Sequence, residues 1–411
     1  MPYPNIKEQL RIIQRGTVEI IPEEELKVKL DKSYQTQTPL RVKLGCDPTR
    51  PDLHLGHSVI LRKMRQFQDL GHHTILIIGD FTAMIGDPSG ANKTRPALTR
   101  EEVVVNGKSY FEQASKILDP DKTEIVYNSD WLSPMNFSDV IRLASHYTLA
   151  RMIERDDFTK RYKNNDPISL HEFLYPLAQG QDSVHLKSDI ELGGIDQKFN
   201  LLVGRHLQRE FEQSQQICLM MPLLIGTDGR QKMSKSYDNY IGIDENPDDM
   251  YGKVLSIPDS LIYSWFELLT DIEYDKLSDL KKWTTSDPRN AKHKLAWNIT
   301  RMYHSAEAAD LARSNFEKTI INKELPDDIP VLHVQTGRTL HILEIMKSAG
   351  FVTSNSEARR LIGQGGVTLD SKKITDLHFE FKMAVNSEKI LKVGKRKFCK
   401  LTSNPNAANN L

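Results

Sequence analysis

The stretch LRVKLGCDPTRPDLHLGHSVILRKMRQFQDLGHHTILIIG, residues 40–79, decides the fold. Leu40–Gly45 reads as a strand. Gly56 to Leu70 reads as a helix with Ile60, Met64 and Phe67 on one face, and Gly71 ends it. Thr74–Gly79 (TILIIG) is an unbroken apolar run, the pattern of a strand covered on both faces. A further helix is expected from about Thr99 to Leu118, where Thr99 and Glu102 form a capping box, and Glu124–Tyr127 supplies a third strand. This β-α-β-α-β order predicts an α/β fold built on a doubly wound, Rossmann-like parallel sheet.

Further along, a helix is expected from about Asp196 to Gln208 and a buried strand over Gln216–Met221. From Pro247 to about Lys323 the pattern turns helical, with Leu268, Leu269, Leu277 and Leu280 set among polar residues. Leu325–Val331 (LPDDIPV) carries two prolines and two acids and reads as a linker. The Asn-rich end, LTSNPNAANNL, reads as a disordered tail. The expected organisation is therefore a Rossmann-like domain over 1–225, a loop and α-helical domain over 226–330, a small α+β domain over 335–400 and a tail over 401–411.

A length of 411 residues fits two to four domains at ~100–200 residues each. Fifty-five Lys and Arg balance 55 Asp and Glu, which excludes a uniformly basic surface made to grip nucleic acid or anionic membrane. The balance is a cancellation, because residues 335–400 hold 13 Lys/Arg against 6 acids, a surplus of seven. The rest of the chain carries the matching deficit. No window approaches the ~18 consecutive apolar residues of a membrane span, so no membrane partner is expected. Met1 to Leu10 is polar and shows no secretory signal. Cys46, Cys218 and Cys399 stand far apart without a CxxC pair, which fits neither a disulfide framework nor a zinc site. Three buried thiols in a reducing cytoplasm are the expectation, and no metal site is expected in the protein itself.

Two short motifs carry chemistry. Asp52-Leu-His-Leu-Gly-His57 lies on the turn between the first strand and its helix, where a doubly wound sheet binds ligands and a helix start offers free N–H groups. Gly56 lets a flat group such as adenine approach the backbone, and His54 and His57 can project together and donate to phosphate oxygens. Alone, the motif reads equally as two surface histidines near a helix start. Lys232-Met-Ser-Lys-Ser236 follows in a mobile-looking segment, GTDGRQKMSKSYDN, where two ammonium groups can close over a triphosphate. Alone, it is a solvated basic loop.

Together, in this order and roughly 175 residues apart, the two resemble the HIGH and KMSKS signatures of class I aminoacyl-tRNA synthetases. Gly45–His57 (GCDPTRPDLHLGH), Gly79–Gly90 (GDFTAMIGDPSG), Tyr175–Asp182 (YPLAQGQD) and Gly193–Asn200 (GGIDQKFN) resemble the tyrosyl-tRNA synthetase family. The likeness runs over roughly residues 35–400. The related tryptophan enzyme shares the two signatures but lacks this set of blocks and the C-terminal region. The resemblance implies a ligase that activates L-tyrosine with MgATP and passes it to the 3′ terminal adenosine of tRNA(Tyr). ATP is then a substrate, its Mg²⁺ carried by the phosphates, and a homodimer is expected.

The resemblance also implies roles for single residues. Tyr175, Gln179 and Asp87 correspond to groups that hold the substrate's ammonium, and Asp182 to the acceptor of its phenol O–H. Gln197 corresponds to a group near the reacting carboxylate, and Asn128 is placed with the tyrosine contacts. Thr49, His54 and His57 fall where the family stabilises the γ-phosphate and the adenylate transition state, with Lys232, Lys235 and Arg95 as the remaining charge-stabilising groups. Asp47, Gly56, Gly194, Asp196, Met233, Ser234 and Ser236 complete the nucleotide contacts, Gly194 and Asp196 on the ribose. Two positions depart from the family pattern. A tyrosine that also contacts the phenol commonly stands two residues before Gly45, where this chain has Lys43. A lysine commonly follows the DPSG glycine, where this chain has Ala91-Asn92-Lys93.

Val352–Val367 (VTSNSEARRLIGQGGV), followed by Thr-Leu-Asp-Ser-Lys-Lys, resembles the S4 RNA-binding module. Ser356–Ile362 is expected as a short helix whose Arg359 and Arg360 face phosphates, and Gly365-Gly366 as the turn into a strand ending at Lys372 and Lys373. A different HxGH nucleotidyltransferase, or an RNA-binding protein keeping a decayed synthetase body, remain as rival readings of the residues.

Overall fold

In the computed structural model the described residues are 4–48, 52–88, 100–318, 329–394 and 397–404. They divide into two compact units, one of residues 1–245 with 253–299 and one of residues 246–252 with 300–411.

The first unit is built on a six-stranded sheet. Its strands are β1 (Glu19–Ile21), β2 (Arg41–Cys46), β3 (His73–Ile78), β4 (Thr123–Tyr127), β5 (Ile190–Gly194) and β6 (Ile217–Met221), in spatial order β1-β6-β5-β2-β3-β4. β2 to β6 run parallel, as the alternating pattern predicts. The apolar run in β3 is buried as expected, with Ile75, Leu76, Ile77 and Ile78 at most 1% exposed. Each contributes about 1.5–3 kcal/mol on the area scale. β1 is an antiparallel edge strand pairing Ile20 with Leu219, and the sequence reading missed it. Three residues ahead of a proline show no period to detect.

Strand order reverses between β2 and β5, whose connections leave to opposite sides. That is the switch point at which such sheets form a crevice beyond their carboxyl ends. The helices Leu55–Asp69, Leu174–Leu186 and Lys198–Glu210 surround it. The segment expected as a separate domain from 226 does not part from the sheet there. Residues 226–245 and 253–299 belong to the same unit. The Trp265 indole donates to the Ile225 carbonyl at 3.2 Å, Arg15 binds the Glu267 and Thr270 carbonyls, and Arg62 pairs with Asp271. No helix of the described residues is long and apolar enough to cross a membrane.

In the second unit the helix Ala306–Phe316 is followed by a small α+β region. Its strands are β7 (Val331–Gln335), β8 (Thr339–His341), β9 (Val367–Leu369), β10 (Lys372–Lys373), β11 (Glu380–Lys382), β12 (Glu388–Val393) and β13 (Lys397–Asn404). Five form a sheet in the order β10-β9-β12-β13-β7, and β8 pairs with β11. Ile342, Ile345, Ala358, Ile362, Val367, Leu391 and Leu401 make its core with the helices Ile342–Ser348 and Asn355–Gly363. Three expectations are corrected here. Val331 opens β7 rather than closing a linker, and residues 401–404 are strand rather than tail, since Leu401 pairs with Leu332 and is buried. The strand expected to end at Lys372 and Lys373 is a hairpin of two, turned at Asp370 and Ser371, both with positive φ. The remaining tail, 405–411, and most of the expected linker lie outside the described residues.

Candidate active site

A cavity of about 750 Å³ opens at the switch point, walled by the carboxyl ends of β2 and β5, the start of the helix Leu55–Asp69, the helix Leu174–Leu186 and the segment 232–236. It brings together most of the residues singled out in the sequence. His54, Gly56, His57, Asp47, Asp87, Asn128, Tyr175, Gln179, Asp182, Gly194, Asp196, Gln197, Lys232, Met233, Ser234, Lys235 and Ser236 all line it. Thr49, Lys93 and Arg95 lie outside the described residues.

The two histidines are part of the fold before they are part of any chemistry. His54 is the N-cap of its helix and accepts from Gly56 N at Nδ1, 3.1 Å, while His57 Nδ1 accepts from His54 N at 3.2 Å. This reciprocal box satisfies donors that a helix start leaves over. A ring nitrogen that accepts cannot carry the proton, so each imidazole is neutral with its hydrogen on Nε2. Their ring centroids are 3.9 Å apart. Burial is the main force lowering the pKa of each, to about 2 for His54 and about 4 for His57. The neighbouring His57 ring adds to the effect on His54, and the charge of Lys235 acts on both. The site therefore presents two neutral N–H donors. A Cβ at Gly56 would stand 2.8 Å from the His54 ring.

The segment 226–240 is knitted rather than loose. Met233 N donates to Leu224 O at 2.7 Å and Gly226 N to Gln231 O at 2.8 Å. Asn239, 2% exposed, accepts from Ser234 N at 2.8 Å and donates to Asp228 and the Lys232 carbonyl. Both lysines are paired, Lys232 with Asp196 at 3.3 Å and Lys235 with Asp52. Lys235 also stands 5.7 Å from the Tyr240 ring centroid, a cation–π contact.

Elsewhere in the cavity the wall is rich in acceptors. Tyr175 donates its hydroxyl to Asp47 at 2.9 Å, and Thr82 donates to the other oxygen of Asp47 at 2.7 Å. Burial, ahead of the charges of Asp47 and Asp87, raises the Tyr175 phenol well above its ordinary pKa. Gln179 donates its amide to Glu191 at 3.0 Å. Asp87 accepts from Gln197 at 2.7 Å and from Arg155 at 3.3 Å. A hydroxyl oxygen, an amide oxygen and a carboxylate on one wall suit an ammonium ion. Asp182, 3% exposed, accepts from the Trp131 indole at 2.9 Å and Asn128 at 3.4 Å. Burial pushes its carboxyl up to about 7, against the opposing charge of Lys43 and the two hydrogen bonds. Asn128 thus supports Asp182 as well as facing the cavity.

The sequence reading missed Trp131, Arg155, Asn239, Tyr240 and the buried partner of Lys43. Arg155 joins Asp87 and Asn200, both distant in sequence, as well as its near neighbour Asp157. Among the described residues no group of three or more His, Cys, Asp or Glu stands close enough to hold a metal ion. In the small α+β region Arg359, Arg360, Lys372 and Lys373 are all exposed. The Lys373 side chain crosses Gly365, where a Cβ would meet its Nζ at 2.3 Å. That brings it to the end of the helix bearing the two arginines.

A doubly wound sheet with a histidine-capped helix start and a paired-lysine segment over one cavity defines the catalytic domain of a class I aminoacyl-tRNA synthetase. The family of class I tRNA synthetases for tryptophan and tyrosine matches residues 35–320, and the C-terminal domain of SYY-like tyrosine--tRNA ligases matches 321–401. The tyrosine--tRNA ligase of Salinibacter ruber is 55% identical over 403 residues, 98% of each chain, and that of Chlorobaculum tepidum 57% over 401, also 98% of each. The crystal structure of the Archaeoglobus fulgidus tyrosyl-tRNA synthetase complexed with L-tyrosine aligns with a TM-score of 0.61 at 25% identity, covering 75% of this chain and all of that one. A truncated mitochondrial enzyme from Aspergillus nidulans shares the fold, with a TM-score of 0.63 over 76% of this chain and 93% of its own, at 20% identity. The chain belongs to the tyrosine--tRNA ligase family. Both rival readings of the sequence are set aside by this match.

Proposed function

We propose that this cavity joins L-tyrosine to the α-phosphate of ATP and then passes the tyrosyl group to the 3′ terminal adenosine of tRNA(Tyr). The observation that carries the reading is one cavity with an acceptor-rich wall and a buried carboxylate, facing two neutral histidine donors and two lysines. Asp87, Tyr175 and Gln179 hold the ammonium, Asp182 takes the phenol hydrogen, and Gln197 and Asn128 fix these groups in place. A carboxylate oxygen of tyrosine bonds to the α-phosphorus as the α–β bridge breaks and pyrophosphate leaves. No residue needs to form a covalent bond or take a proton in that step, so rate comes from positioning and charge stabilisation. His54 and His57 donate to the phosphates, and Lys232 and Lys235 exchange their carboxylate partners for the triphosphate. Thr49 and Arg95 serve the leaving pyrophosphate in this reading, and Mg²⁺ arrives with the nucleotide. Asp196 and Gly194 face the ribose, and Asp47 lies beside both substrates.

The same reading keeps the sheet-bearing unit for activation and gives the helical segment and the small α+β region to tRNA, with Arg359, Arg360, Lys372 and Lys373 on its phosphates. The protein works in the cytoplasm as a homodimer. Phe137, Ile141, Leu149, Tyr162 and Leu170, all exposed between residues 137 and 170, support a second copy as their cover. Exchange of labelled pyrophosphate into ATP, measured with each of the twenty amino acids, tests the chemistry. Exchange with tyrosine alone is expected, and a stronger response to another amino acid refutes the assignment.

A further inference from the structure

Lys43 and Glu191 form an ion pair out of reach of water. Their side chains are 0% and 1% exposed, and Lys43 Nζ lies 2.9 Å from Glu191 Oε1. They stand opposite each other in register on β2 and β5, the two strands that flank the crevice. Removing two charges from water costs several kcal/mol per ion, and a well-packed apolar pair would hold these strands at least as firmly. The contacts of the pair point to a use beyond packing. Glu191 Oε1 accepts from Gln179, and Oε2 accepts from Ser183 at 3.2 Å and from Gln216. Gln179 and Asp182 both lie on the cavity wall, one helical turn apart.

The charged and polar groups around Asp182 come from several elements. β2 supplies Lys43 and β5 supplies Glu191, while the segment after β4 supplies Asn128 and Trp131. Its own helix supplies Tyr175 and also His185, which stacks on the Trp131 ring at a centroid distance of 4.4 Å. Burial lowers the His185 pKa below its ordinary value, so that ring is neutral at neutral pH. Lys43 is then the cation acting on Asp182, and Glu191 opposes it more weakly.

We propose that Lys43 and Glu191 are positioning residues for amino-acid selection. Lys43 favours the charged carboxylate of Asp182, which accepts the phenol hydrogen, and Glu191 holds the Gln179 amide so that its oxygen is left for the ammonium. The inference rests on the reading of Asp182 as the phenol acceptor. Burial raises the Asp182 carboxyl to about 7, and the charge of Lys43 acts against that rise.

The test is tyrosine affinity and the tyrosine-over-phenylalanine preference in pyrophosphate exchange, both followed from pH 6 to 9. The double variant Lys43→Met/Glu191→Gln removes both charges and leaves none buried alone. Its midpoint for tyrosine binding is expected about one pH unit higher, roughly a fivefold loss at pH 7 recovered by pH 9, with KM for ATP unchanged. Glu191→Gln alone removes the opposing charge and is expected to move the midpoint the other way. It also supplies the answer if the double variant does not fold. A folded variant whose profile superimposes on that of the unmodified protein overturns the inference. Asp182→Ala, which removes the acceptor itself, separates the two levels. If it keeps the preference for tyrosine, the phenol reading fails and the inference with it. If it loses the preference while the charge variants leave the profile in place, the inference fails alone.

Discussion

His57 fills two positions at once, and two substitutions separate them. Asparagine can place an acceptor where Nδ1 stands but cannot reach as far as Nε2. His57→Asn should therefore keep the melting temperature near that of the unmodified protein while slowing adenylate formation roughly 10²–10³-fold. His57→Ala removes the cap as well and should cost about 1 kcal/mol of stability, visible as a lower midpoint in denaturant. Because both rings have lowered pKa values, the unfolded chain binds more protons below pH 6.5. Their contribution to stability is complete above that pH and is lost as the pH falls, towards 4 for His57 and towards 2 for His54. Asp182 has the opposite sign. Its carboxyl sits near 7 in the folded protein against an ordinary 3.8, so stability falls as the pH rises through that window. Asp182→Asn should raise the melting temperature by roughly a few degrees at pH 8 and leave it unchanged at pH 4. On the proposed reading Asp182→Ala, which removes the acceptor itself, should abolish discrimination against phenylalanine, the substrate that leaves that buried acceptor without a hydrogen. Tyrosyl-tRNA synthetases are themselves a standard illustration of that effect, so the prediction concerns its direction and not its size.

At the scale of elements, the segment 226–240 shows what a sequence conceals. Its glycines and lysines read as mobile, yet Asn239 binds the backbone at three points and the Asp228 carboxylate at a fourth. Lys235→Ala should slow adenylate formation at least tenfold with little change in tyrosine affinity, as single-turnover kinetics will show. Asp52→Asn releases Lys235 from the partner that, on the proposed reading, ATP displaces. An exposed pair of this kind is worth about 0–1 kcal/mol, so KM for ATP should fall by up to about fivefold. The buried strands and their helices were legible because TILIIG and ICLMM have one reading in a doubly wound sheet. The cavity-lining residues were legible because they cluster in contiguous blocks. Lys43, Glu191 and Arg155 were not, because a charge in a strand or just ahead of a helix reads as solvent-facing until its distant partner is seen.

For the whole molecule, the surplus of positive charge in residues 335–400 and the compensating acidity elsewhere assign different tasks to different regions. The double variant Arg359→Ala/Arg360→Ala should weaken tRNA binding and reduce the slope of log affinity against log salt by about two. Tyrosine-dependent pyrophosphate exchange should be unaffected. The lysine pairs over the cavity have a consequence for ionic strength. Where free ammonium groups meet a triphosphate, added salt screens the attraction and affinity drops steeply. Here Asp52 and Asp196 already neutralise those groups, so on the proposed reading nucleotide binding trades one set of anions for another. The entry of ATP is thereby an exchange of counterions within the protein, and it should be far less sensitive to salt than the capture of tRNA by the same chain.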